Sequence, residues 1–134
     1  MKTSELTGAA LDWAVWTAAG GAAAYPHTAS GKSFLKLWKG NTSKYVHPST
    51  DWSQGGPIIE RELISVWLAM DDIFKKDTWA ASYSFMDGDR VCEPEQEYWG
   101  PTPLIAAMRC YCCAKLGNEI EIPQELQPCQ PPNL

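Results

Sequence analysis

Between Thr102 and Gly117 the chain spells out a helix with both ends marked, and this segment restricts the fold more than any other. Thr102 reads as an N-cap, its hydroxyl placed to accept from the orphan amides of the first turn. Pro103 follows at the first helical position, where no amide hydrogen is needed. Gly117 supplies a left-handed stop, and Lys115 in the last turn suits the helix dipole. Leu104, Ala107, Met108, Tyr111 and Cys112 recur at helical spacing, so the rest of the chain must cover that face. A second helix is predicted over 8–19, with Thr7 as N-cap and Gly20-Gly21 as stop. Its apolar stripe is Leu11, Ala14, Val15 and Ala18.

Strand patterns lie between these helices. Leu63 to Met70 alternates, with Ile64, Val66 and Leu68 on one face and Trp67 on the other. Trp79 to Phe85 alternates again, Trp79, Ala81, Tyr83 and Phe85 sharing a face. The polar stretch with Asp71-Asp72 and Lys75-Lys76-Asp77 joins them as a hairpin. Asp87-Gly88 is a second turn signal leading to a short strand at Arg90-Val91-Cys92. Phe34 to Trp38 and Glu119 to Ile122 are shorter strand candidates. Residues 21–33, rich in Ala, Gly and Ser, read as loop, and the chain after Pro123, with Pro128, Pro131 and Pro132, as an extended tail. The expected fold is α+β: a small antiparallel sheet around the 63–85 hairpin with two helices packed on one face. Residues 1–123 form the single domain and 124–134 a Pro-rich C-terminal tail. Sheet edges and many aromatics point to a homodimer.

Charge then removes whole classes of partner. The 134 residues carry a formal charge of −5. The densest basic stretch, Lys32 to Lys44, spreads four lysines among aromatic and polar residues, whereas a nucleic-acid polymer calls for a basic patch. No run reaches the roughly 20 apolar residues of a membrane-spanning helix. Nor does an apolar signal segment follow Met1-Lys2-Thr3. Five cysteines, an odd number with three of them in one predicted helix, suit reduced thiols in a cytosol. Neither a nucleic-acid polymer nor a membrane is expected as partner.

Three blocks carry a family likeness. They are Ser4-Glu5-Leu6-Thr7-Gly8-Ala9-Ala10-Leu11-Asp12-Trp13-Ala14-Val15, then Pro48-Ser49-Thr50-Asp51-Trp52-Ser53-Gln54-Gly55-Gly56-Pro57-Ile58-Ile59-Glu60-Arg61-Glu62, then Thr102-Pro103-Leu104-Ile105-Ala106-Ala107-Met108-Arg109-Cys110-Tyr111. In this order they resemble the NinX-like family of tailed phages and prophages, a domain of unknown function. The resemblance implies a phage origin, the cytosol of a bacterial host and an accessory role, and it brings no reaction with it. Cys112-Cys113-Ala114 departs from the small or β-branched apolar pair followed by Ser that the family pattern calls for, and residues 20–45 depart from its spacing.

Catalytic and metal chemistry finds little footing. Ser30-Gly31-Lys32-Ser33 looks like the end of a phosphate loop, but Pro26 stands where that motif needs glycine, and a strand follows instead of a helix. Cys110, Cys112 and Cys113 point in different directions on a helix and lack metal-ligand spacing. His27 and His47 sit beside Pro26 and Pro48 in predicted loops, with Asp51 near His47 as a conceivable orienting acid. No cofactor or metal is expected.

The richest stretch is 48–62, read as a loop held by the scaffold. Ser49, Thr50 and Asp51 offer short polar side chains, Trp52 a flat apolar face, and Gln54 an amide. Gly55-Gly56 would let a ligand approach bare backbone amides. Turn capping, a core tryptophan and a tight corner would use the same residues, and both readings stay open. Trp99 beside Gly100-Pro101, Thr102 at a helix N-terminus and Arg109 offer aromatic and anion contacts from a second segment. Three functions follow in order. The first is non-catalytic binding of a small, nucleotide-like ligand, sequestering a signalling molecule of host defence. The second is modulation of a host or phage protein, and the third a small hydrolase using His47 and Asp51.

Overall fold

The computed structural model describes residues 2–20, 25–29, 32–39, 42–69, 79–83, 85–87, 90–92 and 97–126. Helix α3, Pro103–Leu116, organises them. Thr102 caps it as its sequence demands, the side-chain oxygen accepting from the Ile105 amide at 3.1 Å. At the other end Gly117 takes φ 89° and ψ 179°, a conformation open almost only to glycine. That exit delivers the Gly117 and Asn118 carbonyls to Thr3, whose hydroxyl donates to the first (2.7 Å) and whose amide donates to the second (2.9 Å). Thr3 belongs to a 3-10 turn, Thr3–Glu5, and the beginning of the described chain is thereby clamped to the end of α3.

The predicted stripe on α3 is buried, but so are Ala106, Arg109, Cys110 and Cys113. A helix buried on nearly every side needs neighbours on every side. Strands β4 (Ile64–Leu68), β5 (Trp79–Tyr83) and β8 (Tyr98–Gly100) supply one. They form an antiparallel sheet in the order β4-β5-β8, with Ile64 opposite Tyr83 and Val66 opposite Ala81. Helix α1 (Gly8–Ala18), helix α2 (Trp52–Glu62) and the 3-10 turn supply the others. Gly100 sits where β8 meets α3, and a Cβ there would lie 2.6 Å from the Ala106 amide nitrogen. A second antiparallel sheet, β1 (Tyr25–Ala29), β2 (Lys32–Lys39) and β3 (Thr42–Val46), contacts α1 through β2 and β3. A hairpin of β6 (Phe85–Asp87) and β7 (Arg90–Cys92) completes the strands.

The architecture is α+β, with the 63–85 hairpin in place as β4 and β5. Several local expectations need correction. Residues 21–33 hold β1 and the start of β2 instead of a loop, because β1 gains a ladder partner that local composition does not reveal. Phe85 begins β6 and does not extend β5. Glu119–Ile122 forms one isolated bridge, Lys2 to Glu119, and no strand. Thr7 makes no side-chain cap at α1. Beyond Pro123 the chain forms a second 3-10 turn, Gln124–Leu126, and Leu126 is buried in the core. The largest correction is α2, which runs straight through Gly55, Gly56 and Pro57 where a loop is expected. The polar link at 70–78 and the tail beyond 126 lie outside the described residues, as does the turn glycine Gly88.

Candidate functional site

Helix α2 starts from a tightly bonded turn. The His47 carbonyl accepts from the Thr50 and Asp51 amides at 3.1 and 3.0 Å. Asp51 is the N-cap, and its Oδ1 accepts from both the amide and the hydroxyl of Ser53, at 2.9 and 2.7 Å. Its Oδ2 lies 3.4 Å from His47 Nε2. Gln54 reaches back across the turn: its Oε1 accepts from the His47 amide (2.8 Å) and its Nε2 donates to the Tyr45 carbonyl (3.3 Å). The turn is anchored to α1 by Asp12, a buried carboxylate whose Oδ1 accepts from the Ser49 amide at 2.9 Å. Burial pushes the Asp12 pKa up to about 6, while the hydrogen bonding from Ser49 and the nearby His47 pull the other way. Ser49 is buried as well, and its Oγ has no hydrogen bond of acceptable geometry among the described residues.

These bonds change the reading of several expected site residues. The Gly55 amide donates to the Asp51 carbonyl at 2.9 Å inside the helix, so it is not a bare amide awaiting a ligand. A Cβ at Gly55 would strike the Pro48 carbonyl oxygen and come within 2.6 Å of Leu104 Cδ1. Glycine is needed there so that α2 can lie close to α3 and to its own leading turn. Gly56 is half-buried, with the Trp52 ring 3.8 Å from where a Cβ would be. Trp52 is 55% exposed, so it does not plug the core. Thr50 is exposed on the turn.

The second expected segment goes elsewhere. Arg109 is only 6% exposed, its Nε donating to the Leu6 carbonyl (2.9 Å) and its Nη1 to the Trp99 carbonyl (2.8 Å). It joins α3 to β8 and to the chain ahead of α1, where a surface contact to a ligand is expected from sequence. Thr102 spends its hydroxyl on the α3 cap. Trp99 and Tyr98 line a concavity of about 380 Å³ together with Lys2, Glu97 and Glu119. Two carboxylates make that hollow a poor place for an anion.

Of the residues expected at a site only Gln54 lines a different groove, of about 320 Å³, between the end of α1, the end of β3 and the outer side of α2. Ser49, Thr50, Asp51, Trp52, Gly55 and Gly56 are not in its lining. Val15, Val46, Pro48, Pro57 and Ile58 give it apolar surface. Trp16 and Ala19 add surface from α1, Ser53 and Gln54 polar edges, and Arg61 the only charged side chain in its lining among the described residues. The groove shares no lining residue with the Trp99 concavity, so Gln54 and Trp99 serve two different places, and Thr102 and Arg109 line neither. Trp16 and Arg61 are the residues sequence reasoning missed. Their signal is helical spacing: Gln54, Pro57, Ile58 and Arg61 stand at i, i+3, i+4 and i+7, as do Asp12, Val15, Trp16 and Ala19.

Other chemistry is scarce. Burial pushes Cys110 up to about 12 and Cys113 up to about 11, with Cys112 displaced in the same direction, so these thiols stay protonated. Among the described residues no group of three or more His, Cys, Asp or Glu side chains is placed to hold a metal ion.

The protein-family model described as "Bacteriophage P22, NinX" matches residues 2–115. No curated protein matches the chain.

Proposed function

The chain belongs to the phage NinX family, and from that premise we propose that it is a non-catalytic accessory protein that binds a small ligand in the bacterial host cytosol and holds it out of circulation. The ligand is of nucleotide type, such as a signalling molecule of host defence. One observation carries this reading: the α1–α2 groove combines an indole, an apolar floor and a single arginine, with no carboxylate in its lining among the described residues. An aromatic or apolar wall suits a planar ring, and a guanidinium suits a phosphate. At about 320 Å³ the groove is at the small end of the range for ligand pockets. No described helix is long and apolar enough to cross a membrane.

Native mass spectrometry of the purified protein, before and after exposure to small-molecule extract of phage-challenged cells, tests the proposal. A discrete added mass is expected, and the same spectra report whether the chain is a homodimer. If several extracts leave no adduct, the small-ligand reading fails.

A second reading, modulation of a host or phage protein, draws on exposed apolar side chains. Tyr45, Trp52, Leu63 and Leu68 are each more than two-fifths exposed, and such groups on a folded surface can mark a protein contact. Pull-down from infected cells with Trp52→Ala beside the wild type tests it. Hydrolysis has less support. The His47–Asp51 pair exists, but Asp51 Oδ1 is already occupied by Ser53 and neither side chain lines the groove.

A further inference from the structure

The groove's own hydrogen-bond inventory says what kind of small ligand it can tell apart. Both ends of the Gln54 amide are used on backbone, its Oε1 by the His47 amide and its Nε2 by the Tyr45 carbonyl. The Ser53 hydroxyl donates to Asp51. The remaining surface around them is apolar, from Val15, Pro48, Pro57 and Ile58 among others. A nucleobase is read through hydrogen bonds to its edge, and discrimination falls where polar side chains of the lining are already bonded to the protein, as those of Gln54 and Ser53 are. What the groove does offer is apolar surface that includes Trp16 and, among the described residues, one cation, the exposed Arg61. A chain of net charge −5 whose lining, among the described residues, holds one arginine and no acid is complementary to one negative group, not to several.

Resting on the small-ligand reading above, we propose that the α1–α2 groove binds a planar ring carrying a single anionic group. Arg61 holds the anion, and the ring's polar edge is left to solvent. The groove is therefore indifferent to which base it holds, and a second or third phosphate gains nothing, because among the described residues the lining has no second cation to meet it.

Isothermal titration of the full chain tests this with five defined probes: adenosine, AMP, GMP, ATP and indole-3-acetate. AMP and GMP are expected to bind within about threefold of each other. Adenosine should bind about tenfold more weakly than AMP, the worth of one charge-assisted contact, and ATP no more tightly than AMP. Arg61→Ala should reduce AMP to the level of adenosine and leave adenosine unchanged. Ala19→Trp, at an exposed position that lines the groove, should block every probe while the fold is retained, as circular dichroism would confirm.

A preference above tenfold between AMP and GMP, ATP binding tenfold tighter than AMP, or AMP affinity untouched by Arg61→Ala would each overturn the single-anion proposal and leave small-ligand binding standing. Binding of indole-3-acetate alone, lost in Arg61→Ala, would uphold the proposal and remove the nucleotide reading. No binding by any of the five would overturn both.

Discussion

Helices α2 and α3 pack against each other and do opposite work. Over its 14 residues α3 is buried without a break from Ala106 to Cys113, with the β4-β5-β8 sheet on one side and α1 and α2 on others. Over its 11 residues α2 buries only Gly55 and Ile58. It contacts α3 and β4 and turns Gln54, Pro57 and Arg61 toward the groove. The buried Arg109 on α3 has its Nε and Nη1 bound to carbonyls inside the protein. Arg61, the one charged side chain in the groove's lining among the described residues, lies on the thinly packed helix. On the proposed reading, stability and recognition are divided between two neighbouring elements that meet at Gly55 and Leu104.

The two arginines give the sharpest way to break this comparison. Arg109→Ala removes the donor to the buried Leu6 carbonyl and the part-buried Trp99 carbonyl, so a loss of about 2 to 4 kcal/mol is expected in urea unfolding. Arg61→Ala removes a rim side chain and should change stability by less than about 0.5 kcal/mol. Equal losses at the two positions would mean that α2 is as structural as α3.

Asp12 tests the tie between α1 and the turn that starts α2. Its pKa rises from 3.8 to about 6 on burial, so between those values the folded chain keeps a proton that the unfolded chain releases. The stability this group contributes is therefore fullest below about pH 4 and falls as pH rises through 6, by on the order of 3 kcal/mol. The ionisable groups facing it are His47 on the turn and Cys112 on α3. Asp12→Asn keeps an acceptor for the Ser49 amide while removing the buried charge. Urea midpoints from pH 4 to pH 7 should lose this slope in the variant, which should also be the more stable protein at pH 7. An unchanged slope would show that Asp12 titrates as an ordinary carboxylate.

The paired glycines supply a smaller effect. Gly55→Ala must displace the Pro48 carbonyl or the Leu104 side chain, at a cost of about 2 kcal/mol. Gly56→Ala meets only ordinary contact with Trp52 and should raise helix stability by up to about 1 kcal/mol. Thermal unfolding of the two variants separates close packing at α2 from backbone freedom.

That glycine pair also shows what the sequence makes legible. Capping chemistry is local, so Thr102, Pro103 and Gly117 announce α3 and its boundaries within a few residues. The alternation in β4 and β5 is local too, and the pair forms as expected. Helix α2 is obscured because Gly55-Gly56-Pro57 reads as a break at short range, while packing of Gly55 on Leu104 and Pro48 overrides the propensity. Its readable signals are the Asp51 cap and the helical spacing of Gln54, Pro57, Ile58 and Arg61. Arg109 illustrates the opposite limit. Nothing beside it in the chain tells a surface arginine from one bonded to carbonyls 103 and 10 residues away. Of the residues expected at a site, Gln54 lines one groove, Trp99 another, and Arg109 neither, since separation in space is not written in spacing along the chain.

The claim that the α1–α2 groove is the binding site is tested most directly by amide and indole NMR shifts as AMP is added. Expected are shifts at the Trp16 indole, Gln54 and Arg61, with the Trp99 indole and Asn118 unmoved. Shifts confined to Trp99, Lys2 and Asn118, or none at saturating ligand, would contradict it.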